Sequence, residues 1–272
     1  MGTIGVIQFP GVNCEVETAR SIRGLGYRAE VVRWNRSEGL LDRYAGFILP
    51  GGFSYQDRVR AGVIAAREPI VETLSEAAER GMPILGICNG AQILVEAGLV
   101  PGKTNRVEAA LAPNLNGVRT GYSCQWVWLR ADGSNTFLAN TLADGAVIPI
   151  PMAHAEGRFV SSDPARFDEF SKRGQIPLRY CEADGTIATE WPSLPNGALQ
   201  AAAAVSNPAG NVVAMMPHPE RAAYLHQVPD WVPVWGSRKR SLAAGDPTGL
   251  FEAGPGAKIL EAFCLAVEGG VQ

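Results

Sequence analysis

The first hundred residues alternate short apolar runs with segments in which apolar side chains recur at helical spacing. Four of the runs have the length of buried strands, and they cover residues 3–8, 29–32, 46–49 and 83–87. Three segments have helical spacing, and they cover residues 16–25, about 64–80 and 91–97. Asn13 is predicted to cap the first of these helices. Strands that alternate with helices are typical of a parallel sheet flanked by helices.

The remainder of the chain has a less regular pattern. Residues 122–129 and 147–150 are predicted to form antiparallel strands beyond the parallel core, and residues 201–205 and 211–216 are predicted to form a hairpin. Residues 222–256 are rich in Pro, Trp and Gly, which predicts a long ordered loop or an excursion from the core, and Trp231 and Trp235 are expected to cover the core. Residues 258–267 return to helical spacing. We therefore predict one α/β domain over residues 1–272, with a mostly parallel central sheet flanked by helices and added antiparallel strands.

Cys88 lies at the joint between the fourth strand and the third helix. Residues 86–90 read GICNG, the form G-x-C-x-G, which is a cysteine version of the nucleophile elbow. Glycine on both sides relieves the crowding of a sharp strand-to-helix turn. The helix N-terminus favours thiolate over thiol, and the Asn89 amide points toward the place where an oxyanion would form. The alternative is an inert buried cysteine, since free cysteine is often a small apolar core residue.

Gly51 and Gly52 follow the third strand, so they and Cys88 lie at the carboxyl ends of parallel strands, where ligands bind in such sheets. Adjacent glycines are either an ordinary turn or a place where the backbone aims an amide at a ligand. On the second interpretation, Gly52 supplies another oxyanion donor. Asp57, with Arg58 and Arg60, either lines this crevice or lies on the surface, and the sequence leaves both open.

The chain has three histidines, and His218 is the best candidate base for Cys88. It follows an apolar strand, stands between two prolines, and precedes Glu220 by two residues. In an extended segment, residues two apart point the same way, so Glu220 can hold one ring nitrogen and leave the other for the thiol. His154 with Glu156 has the same spacing and is a rival pair, whereas His226 has no nearby carboxylate and is interpreted as structural.

The composition excludes several classes of function. The chain is 46% hydrophobic and 19% charged with a formal net charge of −3, which is typical of a soluble globular protein with no general attraction to nucleic acid or anionic membranes. No apolar run approaches the roughly 18 residues that cross a bilayer, and the first residues lack a signal peptide's basic region. The five cysteines are far apart and form no C-x-x-C pair. We therefore expect reduced thiols, a cytoplasmic location and no metal site.

Several motifs in order resemble one known family: GGFSYQDRVRAG (51–62), GICNGAQILVEAGLVPG (86–102), AHAEGRF (153–159), YCEADG (180–185) and MMPHPERA (215–222). The family is the glutaminase subunit of phosphoribosylformylglycinamidine synthase, a class I glutamine amidotransferase of purine biosynthesis with a flavodoxin-like fold. The resemblance covers about residues 3–222 and the final helix. Chemistry alone permits attack on amides, esters or peptides, and the resemblance points to glutamine.

The resemblance implies that glutamine is hydrolysed to glutamate and ammonia by Cys88, His218 and Glu220. The amides of Gly52 and Asn89 match the family's oxyanion donors. Gln92 matches a position that contacts substrate glutamine. No cofactor is expected in this chain, whereas ATP and Mg²⁺ are expected on a separate synthetase subunit that takes the ammonia and forms formylglycinamidine ribonucleotide. A small third subunit is also expected.

The chain departs from the family at three positions. Ala91 stands where the family often has Phe, Ala155 where it often has Gly, and Gln56 where Gly is usual. None of these positions is a candidate catalytic residue, but bulkier side chains near the crevice can alter loop geometry. Two other hypotheses stay open at this point. One is the glutaminase of another amidotransferase or a γ-glutamyl hydrolase, and the other is a non-catalytic regulatory subunit.

Overall fold

A nine-stranded mixed sheet forms the centre of the structure, a computed structural model that describes residues 2–102, 107–117, 119–133 and 135–269. Its strands are β1 Thr3–Gln8, β2 Arg28–Arg33, β3 Gly46–Leu49, β4 Ile84–Ile87, β8 Ser123–Ala131, β9 Val147–His154, β11 Leu178–Cys181, β12 Ala202–Ser206 and β13 Val212–Met215. Four short strands form two small ribbons, β5 Ala110–Ala112 with β10 Arg158–Val160, and β6 Leu115–Asn116 with β7 Arg119–Thr120. The helices are α1 Glu15–Gly24, α2 Leu40–Arg43, α3 Ile70–Glu79, α4 Asn89–Glu96, α5 Ala165–Lys172, α6 Trp235–Ala244 and α7 Ala257–Gly269.

The strand order is β2-β1-β3-β4-β13-β12-β11-β8-β9, and the first five strands run parallel. β1 and β3 coincide with the predicted runs, β2 is one residue longer than its run at each end, and β4 begins one residue later than its run. β3 and β4 are buried along their whole length, as expected of strands covered on both faces. The predicted parallel α/β core is therefore confirmed, and its carboxyl edge lies where β3, β4 and β13 end.

The other half of the sheet is antiparallel, as predicted, and it contains one strand that the apolar pattern missed. β12, β11, β8 and β9 pair antiparallel in that order. β11 was missed because Arg179 interrupts its apolar run. The guanidinium is buried and bonded by three elements, donating to Asp132 Oδ2 at 2.5 Å, to Gln200 O at 2.6 Å and to Ser171 Oγ at 2.6 Å. Because its charge is satisfied internally, this arginine is tolerated in a fully buried strand.

The first helix begins differently from the prediction. Its N-cap residue is Cys14 and not Asn13, and Asn13 Oδ1 instead accepts a hydrogen bond from the Cys14 thiol at 3.2 Å. Val16 is exposed, and the buried face is formed by residues such as Thr18 and Ile22. The consequence is that the Cys14 sulfur turns inward at the carboxyl edge of the sheet.

Residues 222–256 form a folded excursion that includes α6, a helix that the sequence pattern did not indicate, and several 3₁₀ turns. Leu225, Val228 and Val232 make a small apolar cluster apart from the main core, and Trp235 packs against it. Trp231 is 64% exposed, which contradicts its predicted role as core cover. Three other tryptophans, Trp126, Trp128 and Trp235, pack against this cluster instead.

The final helix agrees with the prediction, because Ile259, Phe263 and Val267 of α7 are all buried. Within the described ranges, no helix combines the length and the apolar character needed to cross a membrane.

Candidate active site

Cys88 occupies a strained joint between β4 and α4. Its backbone has φ 51° and ψ −106°, a conformation that a non-glycine residue adopts only when its surroundings impose it. The Cys88 N–H donates to Met215 O at 2.8 Å, and its carbonyl accepts from the Gln92 N–H at 3.1 Å. β13 and the first turn of α4 therefore hold this residue from both sides.

The two glycines of the elbow are required by close backbone contacts. A Cβ on Gly90 would lie 1.9 Å from Leu49 O at the end of β3, and a Cβ on Gly86 would lie 2.7 Å from Gly90 O. Both distances are too short for any side chain. The spacing G-x-C-x-G thus reflects how closely α4 approaches the neighbouring strand.

Gly90→Ala is expected to lower the free energy of unfolding by about 1–3 kcal/mol, because the added methyl group forces a shift of packed backbone. Chemical denaturation monitored by circular dichroism measures this loss. The matched control is Gly245→Ala, where a Cβ meets only Ser241 O at 3.7 Å. Equal stability of the two variants would show that the elbow tolerates a side chain.

His218 and Glu220 form a buried pair beside the elbow. His218 Nδ1 lies 2.5 Å from Glu220 Oε1, and the His218 N–H donates to Pro151 O at 2.8 Å, which fixes the residue against β9. Glu220 lies in a 3₁₀ turn and not in the extended segment that was expected, yet it still reaches the ring. Nε2 of His218 has no hydrogen-bond partner among the described residues, so one ring nitrogen is held and the other is left for a reaction.

The charges around His218 favour its protonated form. Burial alone would lower the pKa of the imidazole, but the Glu220 carboxylate and then the Cys88 sulfur outweigh burial and raise that pKa well above its ordinary value. A histidine in this setting accepts a proton readily from a neighbouring thiol.

The segment AHAEGRF passes directly beside the elbow. The Cys88 thiol donates to Ala153 O at 3.5 Å, at the end of β9. Farther along the segment, Glu156 O accepts from Gln92 Nε2 at 2.7 Å, and Glu156 Oε2 accepts from the Ala61 N–H at 3.2 Å. This segment therefore connects the elbow helix to the loop that follows β3.

His154 is held as a neutral imidazole by Asn114. Asn114 Nδ2 donates to His154 O at 2.7 Å and to Gly121 O at 3.0 Å, so its Oδ1 must be the acceptor for the His154 Nδ1–H at 3.0 Å. Burial, together with the charge of His218, lowers the pKa of His154 to about 3. The rival pair of His154 with Glu156 does not form, because Asn114 occupies the ring nitrogen and Glu156 binds Ala61.

This depressed pKa predicts a pH dependence of stability. Unfolded His154 protonates near the ordinary pKa of 6.5, whereas the folded residue protonates only near 3. Its contribution to stability is therefore present above pH 6.5 and is lost as the pH falls toward 3, by up to about 1.4 kcal/mol per pH unit. Urea denaturation between pH 6.5 and 4.5 should give a shallower slope for His154→Gln than for the wild-type chain. Parallel slopes would contradict a neutral buried His154.

The candidate oxyanion donors lie on adjacent strand ends. Gly52 follows β3 and Asn89 begins α4 after β4, and these strands pair in the register Leu49 with Gly86. Gly52 has φ 147°, and a Cβ there would lie 2.6 Å from Val12 Cα, so only glycine fits. The Asn89 N–H is the first of its helix and has no intrahelical acceptor. Both backbone amides are placed at the same edge of the sheet as Cys88.

The Asn89 and Gln92 side chains are already engaged within the protein. Asn89 Oδ1 accepts from the Ser54 N–H at 3.0 Å, and Asn89 Nδ2 donates to Gln92 Oε1 at 2.9 Å and weakly to Asp57 Oδ1 at 3.4 Å. Gln92 uses its other amide atom to hold Glu156 O. These contacts fix the loop after β3 and the segment 153–159 onto α4.

Residues 55–57 adopt a left-handed turn without a single glycine, with φ values of 53°, 61° and 52°. The middle residue is Gln56, the position where the family usually has glycine. The Tyr55 N–H donates to Pro10 O at 2.7 Å, and the Tyr55 hydroxyl binds Glu68. These contacts with neighbouring segments hold the strained turn in place.

The turn decides between the alternatives left open for the charged residues of this loop. Asp57 faces the site, where burial and then the nearby Glu156 raise the pKa of Asp57 to about 6. Arg60 pairs with Glu96 at 2.5 Å, and Arg58 is exposed and bonds Gln56. Of these three charged residues, Asp57 is therefore the one that lines the crevice.

Cys14 and Arg221 also lie at the site and were not singled out from the sequence. Ligand atoms of Cys14, His218 and Glu220 lie within 4.8 Å of one another, a spacing that could hold a metal ion. Arg221 Nη2, however, donates to Cys14 Sγ at 3.0 Å, so a guanidinium already supplies the positive charge. The sequence could have indicated Cys14 by its position, because it follows the end of β1 and so lies at the carboxyl edge of the sheet.

The fold and the site define the class of protein as a glutamine amidotransferase. A family model described as the CobB/CobQ-like glutamine amidotransferase domain matches residues 3–254. A solved structure of PurLQS from Thermotoga maritima superposes with a TM-score of 0.71 at 32% identity, covering 98% of this chain and 100% of that chain.

Curated relatives identify one family within this class of amidotransferases. Subunit PurQ of phosphoribosylformylglycinamidine synthase from Methanothrix thermoacetophila is 45% identical, over 97% of this chain and 98% of that protein. Its counterpart from Pyrococcus furiosus is 42% identical, over 82% of this chain and 91% of that protein. The chain therefore belongs to the PurQ family, the glutaminase subunits of phosphoribosylformylglycinamidine synthase.

Proposed function

We propose that this chain hydrolyses glutamine through a thioester on Cys88 and passes the ammonia to a synthetase subunit that makes formylglycinamidine ribonucleotide. The observation that carries the proposal is the buried His218–Glu220 pair at 2.5 Å, with a free Nε2 next to a cysteine in a strained elbow. A base oriented in this way beside a thiol is suited to nucleophilic attack on an acyl carbon.

In the first half of the reaction, His218 Nε2 takes the thiol proton and the Cys88 sulfur attacks the carboxamide carbon of glutamine. The backbone amides of Gly52 and Asn89 stabilise the oxyanion. The imidazolium then returns its proton to the leaving nitrogen, the carbon–nitrogen bond breaks, and ammonia is released. Glu220 holds the ring orientation throughout.

In the second half, His218 removes a proton from water, and the resulting hydroxide attacks the thioester. The carbon–sulfur bond breaks, glutamate leaves, and the thiol is restored. Gln92, anchored between Asn89 and Glu156, contributes to the wall of the glutamine pocket. We expect ATP and Mg²⁺ to bind the synthetase partner, a small third subunit to complete the assembly, and the complex to work in the cytoplasm.

The experiment that tests this function measures glutamate release from glutamine by the purified chain, alone and after addition of the synthetase subunit. We expect release that rises with the synthetase and its nucleotide substrate. The synthetase must first be shown to form product from free ammonium. No glutamate under either condition would favour a regulatory subunit that keeps the fold without the reaction.

A further inference from the structure

Arg221 lies behind the His218–Glu220 pair and contacts three other groups. Its Nη2 donates to Cys14 Sγ at 3.0 Å, its Nε donates to Glu17 Oε1 at 3.1 Å, and the same Nε lies 3.9 Å from Glu220 Oε1. That Glu220 oxygen is the one bonded to His218 Nδ1. A cation is therefore fixed beside the Glu220 oxygen that holds His218.

Glu220 needs such a cation because it is fully buried. Its Oε2 finds no hydrogen-bond partner in the described part of the chain, while its backbone carbonyl is held by Ser21 Oγ and Gln227 Nε2. A buried carboxylate is costly unless positive charge lies beside it. Glu220 is paired with His218, and the guanidinium 3.9 Å away adds a fixed positive charge beside the same oxygen.

Cys14 fixes the position of the guanidinium. Burial raises the pKa of the Cys14 thiol, so the sulfur stays neutral, accepts from Arg221 and donates to Asn13 Oδ1 at 3.2 Å. The Asn13 and Cys14 N–H groups both donate to Gly51 O, which holds the start of α1 against the end of β3. A Cβ on Gly51 would lie 2.6 Å from His218 Cε1 and 3.2 Å from Cys14 Sγ, so these groups are tightly packed.

We propose that Arg221, held in place by Cys14, is a positioning residue that fixes the Glu220 carboxylate against the imidazole and thereby sets the pH range in which His218 acts as the base. The inference rests on the proposed glutaminase function. The other titratable groups that influence His218 come from four elements: Cys14 at the start of α1, Cys88 at the elbow, His154 at the end of β9 and Tyr122 before β8. Arg221 differs from them because it acts through Glu220.

The test compares the pH profile of kcat/KM for glutamine hydrolysis, with the synthetase present, between the wild-type chain and Arg221→Gln. Loss of the cation raises the proton affinity of the coupled His218–Glu220 pair, so the acidic limb should move up by about 0.5–1 pH unit. At neutral pH, kcat should fall about 10-fold or more with little change in KM. Arg221→Lys should restore most of the profile.

The matched control is Arg80→Gln, because Arg80 is exposed and pairs with Glu76 four residues away. A purely structural role for Arg221 would lower the fraction of active chains, measured by labelling with an electrophilic glutamine analogue, without moving the acidic limb. If the wild-type chain is active but the acidic limb of Arg221→Gln is unmoved or displaced to lower pH, this proposal is overturned and the proposed function stays intact. An inactive wild-type chain would instead overturn the proposed function.

Discussion

Cys88→Ala is expected to reduce glutamine hydrolysis at least about 10⁴-fold, to the level of a reaction without a nucleophile. The methyl group cannot form a thioester. The other residues of the site act as a unit with Cys88, so they contribute little to the reaction without it. Steady-state glutamate release in the presence of the synthetase measures the loss. The fold should be retained, since the hydrogen bond from the Cys88 thiol to Ala153 O is long, at 3.5 Å.

Cys124→Ala is the matched control, because Cys124 is an exposed free cysteine in β8. It should hydrolyse glutamine at the wild-type rate. With ammonium in place of glutamine, the complex containing Cys88→Ala should still form product, because the synthetase reaction needs only the nitrogen. Glutamine turnover retained by Cys88→Ala would remove this residue from the mechanism.

His218→Asn is expected to lower kcat/KM for glutamine by about 10²–10⁴-fold, because it removes the general base and proton donor of the reaction. The amide can still fill part of the ring's volume and keep a hydrogen bond to Glu220. The effect should therefore appear in the rate of thioester formation, measured as a burst in rapid-quench experiments, more than in glutamine binding.

His154→Asn supplies the comparison for this second prediction. His154 is buried, neutral and bonded to Asn114, so its replacement should cost less activity than replacement of His218. A larger loss in His154→Asn than in His218→Asn would mean that the base has been assigned to the wrong histidine.

The parallel half of the fold and the pairing at its edge could be predicted from sequence. Apolar runs bounded by glycine located β1, β3 and β4 to within one residue, because strands buried on both faces have an almost continuous apolar pattern. The spacing of His218 and Glu220 indicated their contact, although the intervening backbone is a 3₁₀ turn and not a strand. Glycine spacing also located the elbow, since contact with Leu49 O excludes a side chain at Gly90.

Other features depend on contacts between distant residues and could not be predicted in this way. β11 was hidden by Arg179, whose charge is satisfied by residues far away in the sequence. The choice between His154 and His218 rests on Asn114, forty positions from His154. Arg221 and Cys14 are 207 positions apart, and nothing local to either one reveals their contact.

The most direct test of the central claim is to identify the residue that glutamine acylates. The complex would be incubated with an electrophilic glutamine analogue, digested, and examined by mass spectrometry. The account predicts one adduct per chain, on the peptide that contains Cys88, and its suppression by excess glutamine. Labelling of Cys14 or another cysteine with Cys88 unmodified, or labelling that glutamine does not suppress, would contradict it.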